Sequence, residues 1–172
     1  MARLTVLKWP DTRLLVHAQP VLTLDASVRQ LVADLFETMR AEGGVGLAST
    51  QVGDDRRVVV VDCSARDERA APRALINPRI VERVGTVVWR EGCLSLPGVT
   101  AEVERAQQIT VEYHDETGTA CRLTTVDLEA VCIQHEIDHL DGQLYVDRLG
   151  MLERKATLLD YEDARQGAVP VL

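Results

Sequence analysis

The stretch "CIQHEIDHLDG", Cys132–Gly142, decides how this sequence is read. Two histidines stand four residues apart, and a glutamate directly follows the first. Positions i and i+4 of an α-helix lie one above the other. His135 and His139 therefore share a face with Leu128, Val131 and Cys132. Glu136 is turned about 100° from His135. It reaches the edge of the same place without being a ligand. Two neutral imidazoles with a carboxylate placed to carry a proton are the physical content of an H-E-x-x-H motif. A single histidine on an apolar stripe reads as an ordinary core residue. Two at this spacing around a glutamate read as a metal site.

The flanking elements follow from the same kind of pattern. The metal-binding helix is expected from Asp127, its N-cap, through Asp141, with Gly142 as its stop. Before it, "QITVEYHD" and "ACRLTTVD" flank "ETGT" and read as a hairpin. "RRVVVVDC" reads as a strand buried on both faces. "PRALINPRI" reads as a short strand broken by Pro78, and "GTVVWREGCLSLPG" as a strand ending in a turn. In "DASVRQLVADLFETMRAEGG", Val28, Leu31, Val32, Leu35, Phe36 and Met39 keep helical spacing. Asp25 or Ser27 caps that helix, and Gly43 or Gly44 ends it. A last helix covers "LERKATLLDYEDA", with Leu152, Ala156, Leu159 and Asp163 along one side. The tail "RQGAVPVL" is too short and Pro-interrupted for a helix. Nothing divides the chain, so one domain spanning 1–172 is expected. The class is α+β: mostly antiparallel strands around a central metal-binding helix, with an N-terminal and a C-terminal helix.

With 172 residues, 46% of them hydrophobic, the chain can bury a sizeable core. A formal charge of −8 argues against nucleic acid or an anionic membrane as the main partner. "MARLTVLKWPDTRLL" has no long apolar run, so neither a signal peptide nor a membrane span is expected. The expected place is the cytoplasm, or an organelle if a leader has been removed. The four cysteines show no C-x-x-C spacing. Cys63, Cys121 and Cys132 read as small buried hydrophobes.

A catalytic metal site of this kind usually has three protein ligands and one open position. Where an extended zinc motif would carry a third histidine, this chain has Tyr145. A metallopeptidase could take a late glutamate instead, Glu153 or Glu162. Cys93, in the Gly- and Pro-bounded turn of "EGCLSLPG", is the other candidate. Sulfur with two imidazoles suits iron(II), zinc, nickel or cobalt. The residues alone leave both choices open. A closed structural site in an interaction domain is a third reading, but it has no use for Glu136.

Three motifs in order, "GVGLASTQVG", "EGCLSLPG" and "QHEIDHLDG", resemble those of peptide deformylases along nearly the whole chain. The resemblance implies a hydrolase that removes the formyl group from N-formyl-methionyl peptides and nascent chains, with transient ribosome contact. It implies Cys93, His135 and His139 as ligands of one divalent metal. That metal would be iron(II) in the cell, replaced by nickel, cobalt or zinc in a purified sample. Glu136 would carry the proton. The Gln51 amide and the Leu94 backbone N–H would meet the charge that grows on the formyl oxygen. The "GGVGLA" loop, with Gly44, Val45 and Gly46, offers backbone to an extended peptide; it lacks the lysine of a phosphate loop. Val45, Leu94, Val131, Cys132 and His135 are expected to line the methionine pocket. Glu91 is placed with the substrate-binding residues, where it pairs with Arg105 or holds Gln51. The chain departs from the family pattern at Ser49, and at Thr100, where some members carry an arginine toward the substrate.

Overall fold

The computed structural model describes residues 2–167. Along the chain run helix α1 (Ala26–Ala41), strands β1 (Gly46–Ala48), β2 (Val58–Val61), β3 (Arg73–Val84), β4 (Val87–Cys93), β5 (Leu96–Arg105), β6 (Gln108–His114) and β7 (Ala120–Val126), then helices α2 (Asp127–Leu140) and α3 (Met151–Gln166). Five strands form one antiparallel sheet in the order β1-β2-β3-β6-β7, and β4 pairs with β5 in a second. The class is α+β, as the sequence pattern implies. Among the described residues, no helix is long and apolar enough to cross a membrane.

The four valines of β2 show why α2 is central. Side chains alternate across a strand. Val58 and Val60 join Leu31, Leu35 and Met39 of α1 in one apolar cluster. Val59 and Val61 join Ile133, Ile137 and Leu140 of α2 in another. The larger sheet is thus covered by α1 on one face and α2 on the other. A third cluster ties Leu96 and Val103 of β5 to Tyr161 of α3. Every residue of α2 from Glu129 to Leu140 is buried. Its polar side chains must therefore find partners inside the protein.

Several local expectations hold and several need correction. Asp25, rather than Ser27, caps α1 by accepting from the Ser27 and Val28 N–H groups. The hairpin β6–β7 forms as expected. Pro78 does not break its strand: β3 continues past it through a register shift between Ile76 and Arg79. Asn77 sits there at φ 53 with its amide bonded to both backbone groups of Val21. A bulge absorbs a proline that a regular ladder would reject. Asp127 makes no cap bond; it opens α2 at φ 54, and its carboxylate accepts from Gln107 instead. β1 and β5 were not expected. β1 is only three residues long, and β5 begins with Leu96-Pro97-Gly98, which reads as a turn.

On α3 the inward face is Thr157 and Tyr161, not the side marked by Leu152, Ala156, Leu159 and Asp163. Leu152 is 81% and Leu159 50% exposed. The helix carries aliphatic residues on both sides, and the β5 surface selects the face with the large aromatic. Arg165 and Gln166 lie within α3; residues 168–172 of the tail lie outside the described residues.

Gly142 ends the region of α2 at φ 70, and a Cβ there would meet the Leu15 carbonyl oxygen at 2.6 Å. Gly142→Ala is expected to cost at least about 2 kcal/mol, from left-handed strain plus this overlap. Urea unfolding measures it, and a loss below about 0.5 kcal/mol would contradict the turn geometry.

Candidate metal centre

Two elements bring the three candidate ligands together. The helical spacing of α2 stacks His135 and His139, with ring centroids 5.0 Å apart. Cys93 is the last residue of β4, where a register shift after Gly92 pairs it with Leu96 and closes a tight turn. Cys93 Sγ lies 3.2 Å from His139 Nε2. The sulfur and one nitrogen from each imidazole all lie within 4.8 Å of one another. Ligands on one ion, with bonds of about 2.0–2.3 Å, stand at such separations. Glu136 Oε2 and His139 Nδ1 are buried without a hydrogen-bond partner among the described residues. A soft sulfur, two imidazoles and an uncommitted carboxylate fit a catalytic divalent ion. Glu153 and Glu162 are exposed on α3 and stand outside the group, so the late-glutamate reading has no support.

The buried charges around the site form one network. His135 Nδ1–H donates to Glu91 Oε2 at 2.7 Å, which leaves Nε2 for the metal side. Arg105 donates to both Glu91 oxygens, at 2.7 and 2.9 Å, and to Asp138 Oδ2 at 2.5 Å. Arg148 grips Asp138 with two bonds of 2.6 Å. Burial pushes the Glu91 carboxyl up, but Arg105 and His135 outweigh it and hold it at about 2. Asp138 is likewise held below its ordinary value against burial, by Arg148 and Arg105. Glu91 thus pairs with Arg105 as one expectation had it, but it does not hold Gln51. Its carboxylate is committed to Arg105 and His135.

Gln51 lies in the 3-10 turn Ser49–Val52, whose position against α2 is fixed by Thr50 donating to the His139 carbonyl oxygen at 3.0 Å. Its Oε1 accepts from the Ala48 N–H at 2.9 Å, and its Nε2 donates to Ser95 Oγ at 3.2 Å and Cys93 Sγ at 3.6 Å. The amide is thereby oriented with N–H, not oxygen, toward the metal side. Ser95, missed in the sequence, also donates its N–H to Cys93 Sγ at 3.4 Å. It directly follows Leu94 in the same turn, and that adjacency was the available signal. Tyr145 fills no ligand position; its ring stacks on His135 at 6.1 Å.

A cleft of about 550 Å³ opens on this group, and Gly44, Val45, Gly46, Gln51, Glu91, Cys93, Leu94, Val131, Cys132, His135 and Glu136 all line it. Trp89, Leu128 and Arg66 line it too, and none had been assigned to the pocket. Gly46 has a steric reason: a Cβ there would collide with the Glu136 carboxylate and stand 2.8 Å from Cys132 Sγ. Burial opposes a charged thiolate at Cys93, but the His139 and His135 imidazoles outweigh it and pull the thiol well below its ordinary range. Burial raises Glu136 from its ordinary 4.5 to about 7.

These features fit a metal-dependent hydrolase, with a buried glutamate lacking a hydrogen-bond partner among the described residues beside the three candidate ligands. Residues 3–155 match the sequence model of the Polypeptide deformylase family. A peptide deformylase of Pseudoalteromonas translucida is 48% identical over 155 residues, covering 90% of this chain and 92% of that protein. One from Alkalilimnicola ehrlichii is 46% identical over 172 residues, covering 99% and 96%. The crystal structure of a peptide deformylase from Legionella pneumophila superposes with a TM-score of 0.90 at 38% identity, covering 98% of this chain and 100% of that one. One from Synechococcus elongatus, in complex with actinonin, gives 0.87 at 40% identity, covering 98% and 92%. The chain belongs to the peptide deformylase family: it removes the N-formyl group from the formyl-methionine terminus of new polypeptides and releases formate.

Two outcomes check the electrostatics. Arg105→Leu leaves Glu91 and Asp138 buried beside fewer cations, and it should cost about 3–5 kcal/mol by denaturant unfolding; a neutral result would mean the network does not bear on the fold. In chelator-treated protein, Glu136 binds its proton more tightly folded than unfolded. Its stabilising contribution is complete below the ordinary value of 4.5 and is lost as pH rises through about 7. The stability gap favouring Glu136→Gln over wild type should therefore widen from pH 5 to pH 8, and a gap independent of pH would show that Glu136 is not raised.

Proposed function

We propose that Cys93, His135 and His139 hold the ion, that Glu136 moves the proton, and that Gln51 and Leu94 stabilise the transition state. The close S/N/N group beside the unpartnered Glu136 carboxylate carries this reading. Iron(II) is the proposed cellular metal, with nickel, cobalt or zinc replacing it in purified samples; the mixed donor set accommodates all four. When bound, the ion lowers the pKa of water to about 7 and polarises a carbonyl.

The chain's own groups divide the remaining work. Glu136 takes a proton from the attacking water as the bond from oxygen to the formyl carbon forms. It gives that proton to the nitrogen as the C–N bond breaks, so the amine leaves neutral and formic acid remains, which loses its own proton to solvent and departs as formate. The Gln51 N–H, aimed by Ala48 and Ser95, and the Leu94 N–H meet the negative charge on the formyl oxygen. Gly44, Val45 and Gly46 present backbone to the extended peptide, and Val131 and Cys132 form part of the methionine pocket. Glu91 acts through His135, setting its tautomer.

We further propose that residues 1–172 work as one catalytic domain, acting in the bacterial cytoplasm where nascent chains emerge, with transient contact to the ribosome. The shared burial of α2 and β2 between apolar clusters supports the single domain.

Anaerobic purification followed by elemental analysis and a formate assay tests the roles together. Glu136→Gln should keep its metal and lose formate release by at least about 10²-fold. Cys93→Ser should lose metal. Gln51→Ala should lower kcat by about 10²–10³-fold. Turnover retained in Glu136→Gln would refute the proton role.

A further inference from the structure

We infer that Tyr161 of α3 is a positioning residue for the deformylase reaction, acting through Trp9 and Ser95 on the Gln51 amide and the Cys93 sulfur. The inference rests on the roles proposed above for Gln51 and Cys93.

Gln51 follows β1 in the five-stranded sheet, whereas Cys93 ends β4 in the two-stranded one. No strand ladder joins the two sheets among the described residues. The Gln51 Nε2 bonds to Ser95 Oγ and Cys93 Sγ join them directly, and a backbone segment backs those bonds from behind. The segment Leu7–Trp9 crosses both. Leu7 N–H donates to the Gln51 carbonyl oxygen at 2.7 Å, and Trp9 N–H to the Ser95 carbonyl oxygen at 2.9 Å. Between them Lys8 Nζ donates to the Leu94 carbonyl oxygen at 2.6 Å. Residues 7–9 are therefore a strap tied to the Gln51 turn at one end and to the Cys93 turn at the other.

Tyr161 fastens that strap from outside the site. Its hydroxyl donates to the Trp9 carbonyl oxygen at 2.9 Å, and Arg165 Nη1 donates to the same oxygen at 3.1 Å. The ring is buried in the apolar cluster with Leu96, Val103 and Leu144. A phenylalanine would fill that space equally well, so the hydroxyl and its partner account for a tyrosine. The path is continuous: Tyr161 to Trp9, Trp9 to Ser95, and Ser95 to both Gln51 Nε2 and Cys93 Sγ. An alternative is a core tyrosine that is merely satisfied, with no bearing on the reaction.

Tyr161→Phe, Arg165→Met and the double variant separate these readings in cobalt(II)-loaded enzyme, assayed well below the melting temperature. The double variant should lower kcat roughly three- to tenfold, the scale of a lost hydrogen bond. KM should stay within about twofold, because the misplaced donor acts on charge present only in the transition state. The sulfur-to-cobalt absorption band should shift with it. Leu152→Ser, on the exposed side of the same helix, should change none of these. A lower thermal midpoint with wild-type kcat and an unmoved band would make Tyr161 purely structural and overturn the inference. Failure of the underlying reading looks different: Gln51→Ala would then keep wild-type kcat, and Cys93→Ser its metal.

Discussion

The structure depends on how one buried helix keeps its charges satisfied. Between Glu129 and Leu140, α2 carries two carboxylates beyond Glu129 itself, a glutamine and two histidines, all removed from water. An isolated buried charge costs far more than a marginally stable fold can tolerate. Glu129 is met by Arg73 and Thr125. Gln134 is met by both backbone groups of Ala106. Asp138 is met by Arg105 and Arg148, and His135 by Glu91. Among the described residues, Glu136 Oε2 and His139 Nδ1 are left over. The same accounting that lets the helix be buried thus isolates the groups proposed to do the chemistry.

Arg105 is the hinge of that arrangement, because it neutralises carboxylates from β4 and α2 at once. It ties the strand that delivers Cys93 to the helix that delivers both histidines. The candidate metal site and the packing of the smaller sheet on α2 are for this reason one problem. A buried ion pair is weak evidence for stability, but a network that fixes the register of a strand against a helix gives the ligands a defined geometry. The Tyr161–Trp9–Ser95 path is the counterpart on the other side of Cys93.

How much of this could be read from the sequence follows the range of each interaction. His135, Glu136 and His139 were legible because their relation is one helical turn. Cys93 was not separable from Glu153 or Glu162 by spacing alone; the family motifs favoured it, and it is Cys93 that stands beside both histidines. Asp138 lies three residues after His135 on a buried helix, yet nothing local shows that Arg105 and Arg148 reach it. The inward face of α3 was misread because Leu152 and Leu159 are aliphatic while the buried positions are Thr157 and Tyr161. β5 hid behind Leu96-Pro97-Gly98, and Pro78 looked like a break because a bulge is set by Val21, far off in sequence. Local periodicity carries helix type and ligand spacing; partners chosen by tertiary contact do not show in it.

The central claim is that one sulfur and two imidazole nitrogens share a single divalent ion. X-ray absorption at the metal edge of anaerobically purified enzyme addresses it without a mutation. One sulfur at about 2.3 Å and two nitrogens near about 2.0–2.1 Å, with lighter scatterers completing the shell, is the expected result. A shell without sulfur, or one closed by four protein ligands, would contradict it.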